Sequence, residues 1–292
     1  MSDLLNTSMS SKMNIAVTGA TGYLGGLFCK LLKINNVPFI TINRGATIGD
    51  MESTLSNLKN AVVVHFASLF VAEHKPADVS RLIESNILFG SQVLQAMQSA
   101  NVKKIVTAGS AWQDGRGVAK PANFYAATKN AFEDIVKLYC ASHDFSAISL
   151  RIYDTAGPND PRGKLFTALA KKINTTDSFD LSAGEQKLHL IHSDDVAAAF
   201  YQASQTLMNT KESELKVYEL RREKIQNLKE LVAQFQKQSN GKPQVNWGKK
   251  PYRECEVLNP IEDHTVLPGW KPTRTIEQIF SDVISSEVNR AH

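Results

Sequence analysis

Short apolar runs alternate with longer amphipathic stretches along the first half of the chain. The runs at 14–17, 39–42, 61–66, 104–107 and 147–152 have the length and β-branched content of buried strands. Helical patterns fill the intervals at 23–33, 77–99 and 123–140. Such alternation predicts an α/β fold, a Rossmann-type doubly wound parallel sheet with crossover helices and a smaller C-terminal lobe. Beyond Gly157-Pro158 the rhythm weakens. Helices are expected near 164–172, 194–207 and 227–238 and from Thr275, with a strand at 216–220. Residues 1–12 read as a flexible polar leader. Residues 13–155 are expected to form the larger lobe, completed by segments near 191–220. Residues 156–190 and 221–292 mainly build the smaller one.

Composition narrows the partners. The 292 residues are 42% hydrophobic and 21% charged, with a formal net charge of +4. Cationic pairs such as Lys103-Lys104 and Arg221-Arg222 are too short for a nucleic-acid groove, so no nucleic-acid partner is expected. A mild cationic excess suits an anionic small molecule. No run approaches the roughly 18 apolar residues of a membrane span, and the leader lacks a signal peptide's apolar centre. A cytoplasmic protein without a membrane partner is expected. Cys29, Cys140 and Cys255 are far apart and lack metal-ligand spacing, which predicts reduced thiols and no metal.

The chemistry starts at Thr18-Gly19-Ala20-Thr21-Gly22-Tyr23-Leu24-Gly25, directly after the first strand. Glycines there permit a sharp turn and a close backbone approach to a pyrophosphate. The following helix offers free N–H groups and its positive dipole end. Gly19, Gly22 and Gly25 are spaced three apart, unlike the usual dinucleotide pattern. Thr21, Tyr23 and Leu24 fall between them, in the strand-turn-helix context that supports phosphate binding. Ribose recognition belongs at the end of the second strand. Asn43-Arg44 stands there instead of an acidic residue, and a guanidinium suits a 2′-phosphate. NADP is therefore expected as cofactor, with NAD the alternative.

About a hundred residues later, Tyr125 and Lys129 are four apart and share one helix face. An adjacent ammonium would stabilise the phenolate and bring its pKa toward the working range. Ser110, just past the fourth strand, is placed to hold a substrate carbonyl. A cap or turn serine is its plainer reading, as chance is for Tyr-x-x-x-Lys.

These motifs resemble the extended short-chain dehydrogenase/reductases, in particular their nucleotide-sugar branch. The likeness spans about 13–272 and includes His65-Phe66-Ala67, Asn86 in Ser85-Asn86-Ile87-Leu88, Leu150-Arg151-Ile152-Tyr153-Asp154 and Gly157-Pro158. It implies Ser110, Tyr125 and Lys129 as catalytic residues. It also implies Phe66, Ala67, Ser68, Asn86 and Tyr153 beside the cofactor. Within the branch, Ser110-Ala111-Trp112-Gln113 and Gly157-Pro158-Asn159-Asp160-Pro161-Arg162 are similar to the 4-ketoreductases of CDP-linked dideoxysugars. Ala111 and Trp112 stand where 4,6-dehydratases carry an Asp-Glu pair, which argues against dehydration. Trp112, Asp154, Arg162, Lys187 and Arg253 are the expected substrate contacts, the three cations as partners for a diphosphate. Asp154 replaces an asparagine frequent in relatives.

The resemblance thus implies NADPH-dependent reduction of the 4-keto group of a nucleotide-linked deoxyhexose, with Tyr125 as proton donor. An NAD-dependent 4-epimerase and a non-catalytic NADP sensor remain as alternatives. Relatives pair the helices at about 77–99 and 123–140 across a two-fold axis, so a homodimer is expected. Ile83, Ile87, Leu94, Phe132, Ile135 and Leu138 supply apolar positions on more than one face of those helices.

Overall fold

Six parallel strands form the central sheet in the computed structural model, which describes residues 13–115 and 120–288. The leader 1–12 lies outside the described residues. The strands are β1 (Asn14–Thr18), β2 (Phe39–Ile42), β3 (Ala61–His65), β4 (Lys104–Ser110), β5 (Ser146–Ile152) and β6 (Leu215–Leu220). They lie in the order β6-β5-β4-β3-β1-β2. The order reverses between β1 and β3, where open α/β sheets form a ligand crevice beyond their strand ends.

Alternate residues of each strand serve opposite layers, as a period of two requires. Ile15, Val17, Val62, Val64 and Val106 pack with Phe28 and Leu32 of α1 (Tyr23–Ile34) and Phe200 of α7 (Ser193–Asn209). Ala16, Val63, Ile105 and Ala147 face the other layer. That layer comprises α2 (Ile48–Ser56), α4 (Phe89–Ser99) and α5 (Phe124–His143). Burial on both faces explains why the strands read as continuous apolar runs. A third apolar cluster lies among α6 (Leu165–Ala170), α8 (Leu228–Gln238) and α9 (Ile276–Val288). Its centre is an aromatic trio in which Phe166 and Phe235 lie 4.7 and 5.5 Å from Phe280.

Three local differences from the sequence reading have physical causes. The expected single helix at 77–99 is α3 (Asp78–Ile83), a π-helical turn (Glu84–Leu88) and then α4. The widened turn carries Asn86, whose side chain bonds Leu69 on both backbone groups and Thr128 on α5. Helix α2 has no counterpart in the sequence reading. Only Met51 and Leu55 of its nine residues are buried, so its amphipathic signal is faint, although Thr47 and Asp50 form a reciprocal cap. Strand β4 runs on to Ser110 because Gly109 and Ser110 stay in register with Arg151 and Ile152. No described helix is long and apolar enough to cross a membrane.

Candidate active site

The turn after β1 is built on close backbone approaches. Gly19 has φ +71°, and a Cβ there would lie 2.6 Å from the Ala67 nitrogen. A Cβ on Gly25 would meet the Gly19 carbonyl oxygen at 2.2 Å. Any side chain at either position would push the turn away from β3 or from its own helix. Gly22 occupies the N-cap of α1 and has no side chain to cap the first N–H groups. Those groups lack acceptors within the helix. Gly19, Thr21, Gly22, Tyr23, Leu24 and Gly25 line one end of a cavity of about 570 Å³. Uncapped amides, glycine backbone and a positive dipole end fit the diphosphate of a dinucleotide.

The same cavity is lined by Ser68, Ser110, Trp112, Tyr125 and Lys129. Asn123 caps α5 by accepting from the Ala126 N–H at 2.9 Å, which fixes where the Tyr125 turn begins. Ser110 combines two features. Its Oγ accepts from the Trp112 N–H at 3.3 Å, so it is a cap serine, yet it also faces the cavity. Its own N–H donates to Gln113 Oε1 at 2.8 Å, and Gln113 Nε2 donates to Asn130 Oδ1 at 2.9 Å. The end of β4 is thereby tied to α5.

The electrostatics differ from the simple expectation that Lys129 depresses Tyr125. Burial pushes the Tyr125 phenol up to about 12, only partly offset by a hydrogen bond with Ser68 and by the Arg162 charge. Burial also draws Lys129 down to about 8, aided by Arg151 and opposed by Glu133. For both side chains desolvation is the largest influence, and it disfavours the charged form of each.

Later segments complete the cavity lining. Arg162 is not a free cation: its Nε and Nη2 grip the fully buried Asp160 at 2.8 and 2.6 Å. Its guanidinium also lies 4.8 Å over the Tyr23 ring, which ties the glycine turn to this lobe. Lys187 and Arg253 are exposed and line the cavity. Burial raises the Asp154 carboxyl, against the pull of Lys164, Arg253 and His189. Tyr153 lines the cavity while its hydroxyl donates to the Ile261 carbonyl at 2.7 Å. Among the described residues no group of three or more His, Cys, Asp or Glu side chains is arranged to hold a metal.

The model of the NAD dependent epimerase/dehydratase family matches residues 15–219. The chain belongs to that family. CDP-abequose synthase of Yersinia pseudotuberculosis is 27% identical over 64% of this chain and 71% of its own length. A UDP-glucose 4-epimerase of Cyamopsis tetragonoloba is 22% identical over 96% of each chain. Among solved structures, MoeE5 in complex with UDP-glucose and NAD superposes with a TM-score of 0.82 at 18% identity, covering 95% of this chain and 99% of that one. RMD from Pseudomonas aeruginosa complexed with NADPH gives 0.75 at 16%, covering 94% and 99%. These structural likenesses speak for the fold.

In this family member several expected contacts stand apart from the cavity lining. Arg44 is exposed and donates to Ser85 Oγ at 2.9 Å, with Asn43 exposed beside it. Ala67 backs Gly19, and Phe66 lines the cavity. Asn86 is 1% exposed and spends its amide on Ser68, Leu69 and Thr128, so it braces the wall rather than lining it. Sequence reasoning passed over Phe70, Lys164 and Glu256, which also line the cavity. Lys164 carried a signal, a second cation after Arg162 in a Pro-Gly turn. Phe70 lies in the loop after β3 with no periodic pattern around it.

Proposed function

We propose that this protein reduces the 4-keto group of a CDP-linked 4-keto-deoxyhexose, with NADPH as hydride source. The observation that carries this is the convergence of Ser110, Tyr125 and Lys129 on a cavity that also receives the glycine turn. Ala111 and Trp112 beside Ser110 bring no carboxylate for dehydration. The likeness to CDP-abequose synthase and Arg44 at the end of β2 support the nucleotide and the cofactor.

A nicotinamide dinucleotide held by the glycine turn would supply hydride to a carbonyl carbon. The chain's own residues handle the proton. Tyr125, held protonated by burial, gives its proton to the carbonyl oxygen as negative charge develops there. Ser110 keeps its hydroxyl hydrogen free for the same oxygen, since Oγ acts as acceptor toward Trp112. Lys129, one helical turn on, lends positive charge to the phenol as its proton leaves. Hydride and proton together convert ketone to alcohol.

A second reading, NAD-dependent 4-epimerisation, is supported by the full-length likeness to a UDP-glucose 4-epimerase. Such an enzyme would purify with bound NAD and consume no NADPH. The deciding experiment is NADPH oxidation with a CDP-4-keto-6-deoxyhexose, by wild type and Tyr125→Phe. The variant should bind NADPH and lose about 10²–10⁴-fold in turnover. Near-wild-type turnover would remove Tyr125 from the mechanism. Exposed Ile83, Leu88 and Leu138 on the helical layer of α3 to α5 support a homodimer, although Leu94 and Phe132 pack in their own layer; a monomer mass at micromolar concentration would exclude it.

A further inference from the structure

Phe70 is the one exposed phenylalanine among the described residues, at 44% relative exposure, and it lines the cavity. Its ring centroid lies 5.6 Å from that of Trp112 and 5.1 Å, edge to face, from that of Tyr125. Lys164 Nζ sits 4.6 Å from the ring centroid and belongs to the substrate side, where it faces Asp154 and Arg253. Phe70 therefore stands between the catalytic helix and the substrate side.

Both aromatics are held in place by their neighbours. Leu69, just before Phe70, has its N–H and carbonyl bonded by the buried Asn86 amide at 2.7 and 3.0 Å. Trp112 is anchored through its N–H on Ser110 Oγ. A partly exposed aromatic pair carried on a hydrogen-bonded backbone is a preorganised binding wall, not a loose surface feature. Aromatic faces pack well on C–H groups and give a sugar hydroxyl no acceptor or donor of matching strength.

We propose that Phe70 and Trp112 form a specificity wall that reads the carbons flanking the reacting carbonyl and selects sugars that carry methyl or methylene there in place of hydroxyl. The wall deepens the ketoreductase reading and rests on it for the identity of the reacting carbonyl. An apolar wall rejects an added hydroxyl by about 10²-fold at most, because the hydroxyl can still turn partly to water. A preference of that order for deoxygenated sugars is the expected reading in the wild type.

The test compares CDP-4-keto-6-deoxyglucose with CDP-4-ketoglucose as substrates for wild type, Phe70→Ser and Trp112→Ser. The wild-type ratio of kcat/KM should favour the deoxy sugar, and each variant should shrink that ratio by about tenfold or more. Calorimetric Kd values for the unreactive pair CDP-6-deoxyglucose and CDP-glucose should follow the same trend. An unchanged ratio in both variants overturns the wall, as does a loss confined to NADPH affinity, which would move the aromatics to the cofactor side. If wild type reduces neither ketone, the ketoreductase reading falls, and the Kd ratios still decide the wall.

Discussion

Arg151 and Glu133 meet through two guanidinium nitrogens beside Gly109, with Nη1 donating to Oε2 at 2.6 Å and Nη2 to Oε1 at 2.9 Å. Arg151 Nε donates to Asp114 Oδ2 at 3.0 Å, and Ser149 Oγ donates to Glu133 Oε2 at 2.8 Å. Burial pushes the Glu133 carboxyl upward, but the Arg151 contact and charge together hold it below the ordinary carboxylate range. Its stabilising share is therefore present above the unfolded pKa and is lost as pH falls through the folded one.

Removing one member of this cluster should cost more than removing its charges together. Glu133→Ala leaves the buried Arg151 guanidinium with Asp114 as its carboxylate partner and should destabilise the fold by about 3–5 kcal/mol in urea unfolding. The triple variant Glu133→Leu/Arg151→Met/Asp114→Asn leaves no buried charge at the three positions and should recover a large part of that loss. A single-variant loss under about 1 kcal/mol would mean that water reaches the pair.

How much was legible follows from how local each signal is. The parallel sheet was readable because strands such as Ala61–His65 are buried on both faces and so stay apolar throughout. The glycine turn and the Tyr125/Lys129 spacing are likewise written in adjacent residues. Helix α2 escaped notice because two buried residues make a weak period. The pairing of Arg162 with Asp160 was hidden for another reason: two residues apart, the two could as well have faced different ways. The raised Tyr125 phenol reflects burial, a sum over the whole fold that no motif records.

Lys129 sets an expected limb in the pH profile. Burial lowers its ammonium from 10.5 to about 8, so the charged form predominates below about 8 and is lost above it. A reduction that needs this charge beside Tyr125 should show kcat/KM level below pH 8 and declining above, with the slope of one ionisation. Linkage gives the matching stability sign. The cost of burying the ammonium is full below about pH 8 and is relieved as pH rises from 8 toward 10.5. Lys129→Arg keeps its charge throughout, so the limb should vanish in whatever activity survives. A limb that persists near 8 in that variant would belong to another group.

Arg44 should separate the two cofactors. It is exposed, follows β2 and bonds only a serine hydroxyl in the hydrogen bonds seen for it, so its charge stays open to an anion. Only NADPH carries a 2′-phosphate, and a charge-assisted contact is worth roughly 1.5–3 kcal/mol. Arg44→Ala should weaken NADPH binding by about 10–100-fold and leave NADH within a few-fold, measured by fluorescence titration. Equal losses for both would place Arg44 elsewhere in recognition.

Of the three cations expected to meet the substrate diphosphate, the structure gives them unequal standing. Arg162 is committed to Asp160 and stacks over Tyr23, which ties the glycine turn to the later lobe. Lys187 and Arg253 remain exposed on the cavity. Burial raises the Asp154 and Glu256 carboxyls while the nearby Arg253 charge draws both down, and the exposed Arg253 guanidinium is open to a diphosphate as well. Arg253→Ala should raise KM for the sugar nucleotide by roughly 10-fold or more and change kcat little, because a diphosphate distant from the carbonyl is held equally in ground and transition states. NADPH affinity should stay put, since the interactions seen for Arg253 are with Asp154, Lys164 and Glu256 and none is with the glycine turn. A variant that lost NADPH affinity while keeping its sugar-nucleotide KM would exchange the two ends of the site. Arg162→Ala should behave differently, lowering the unfolding midpoint as well, because it abandons a fully buried carboxylate.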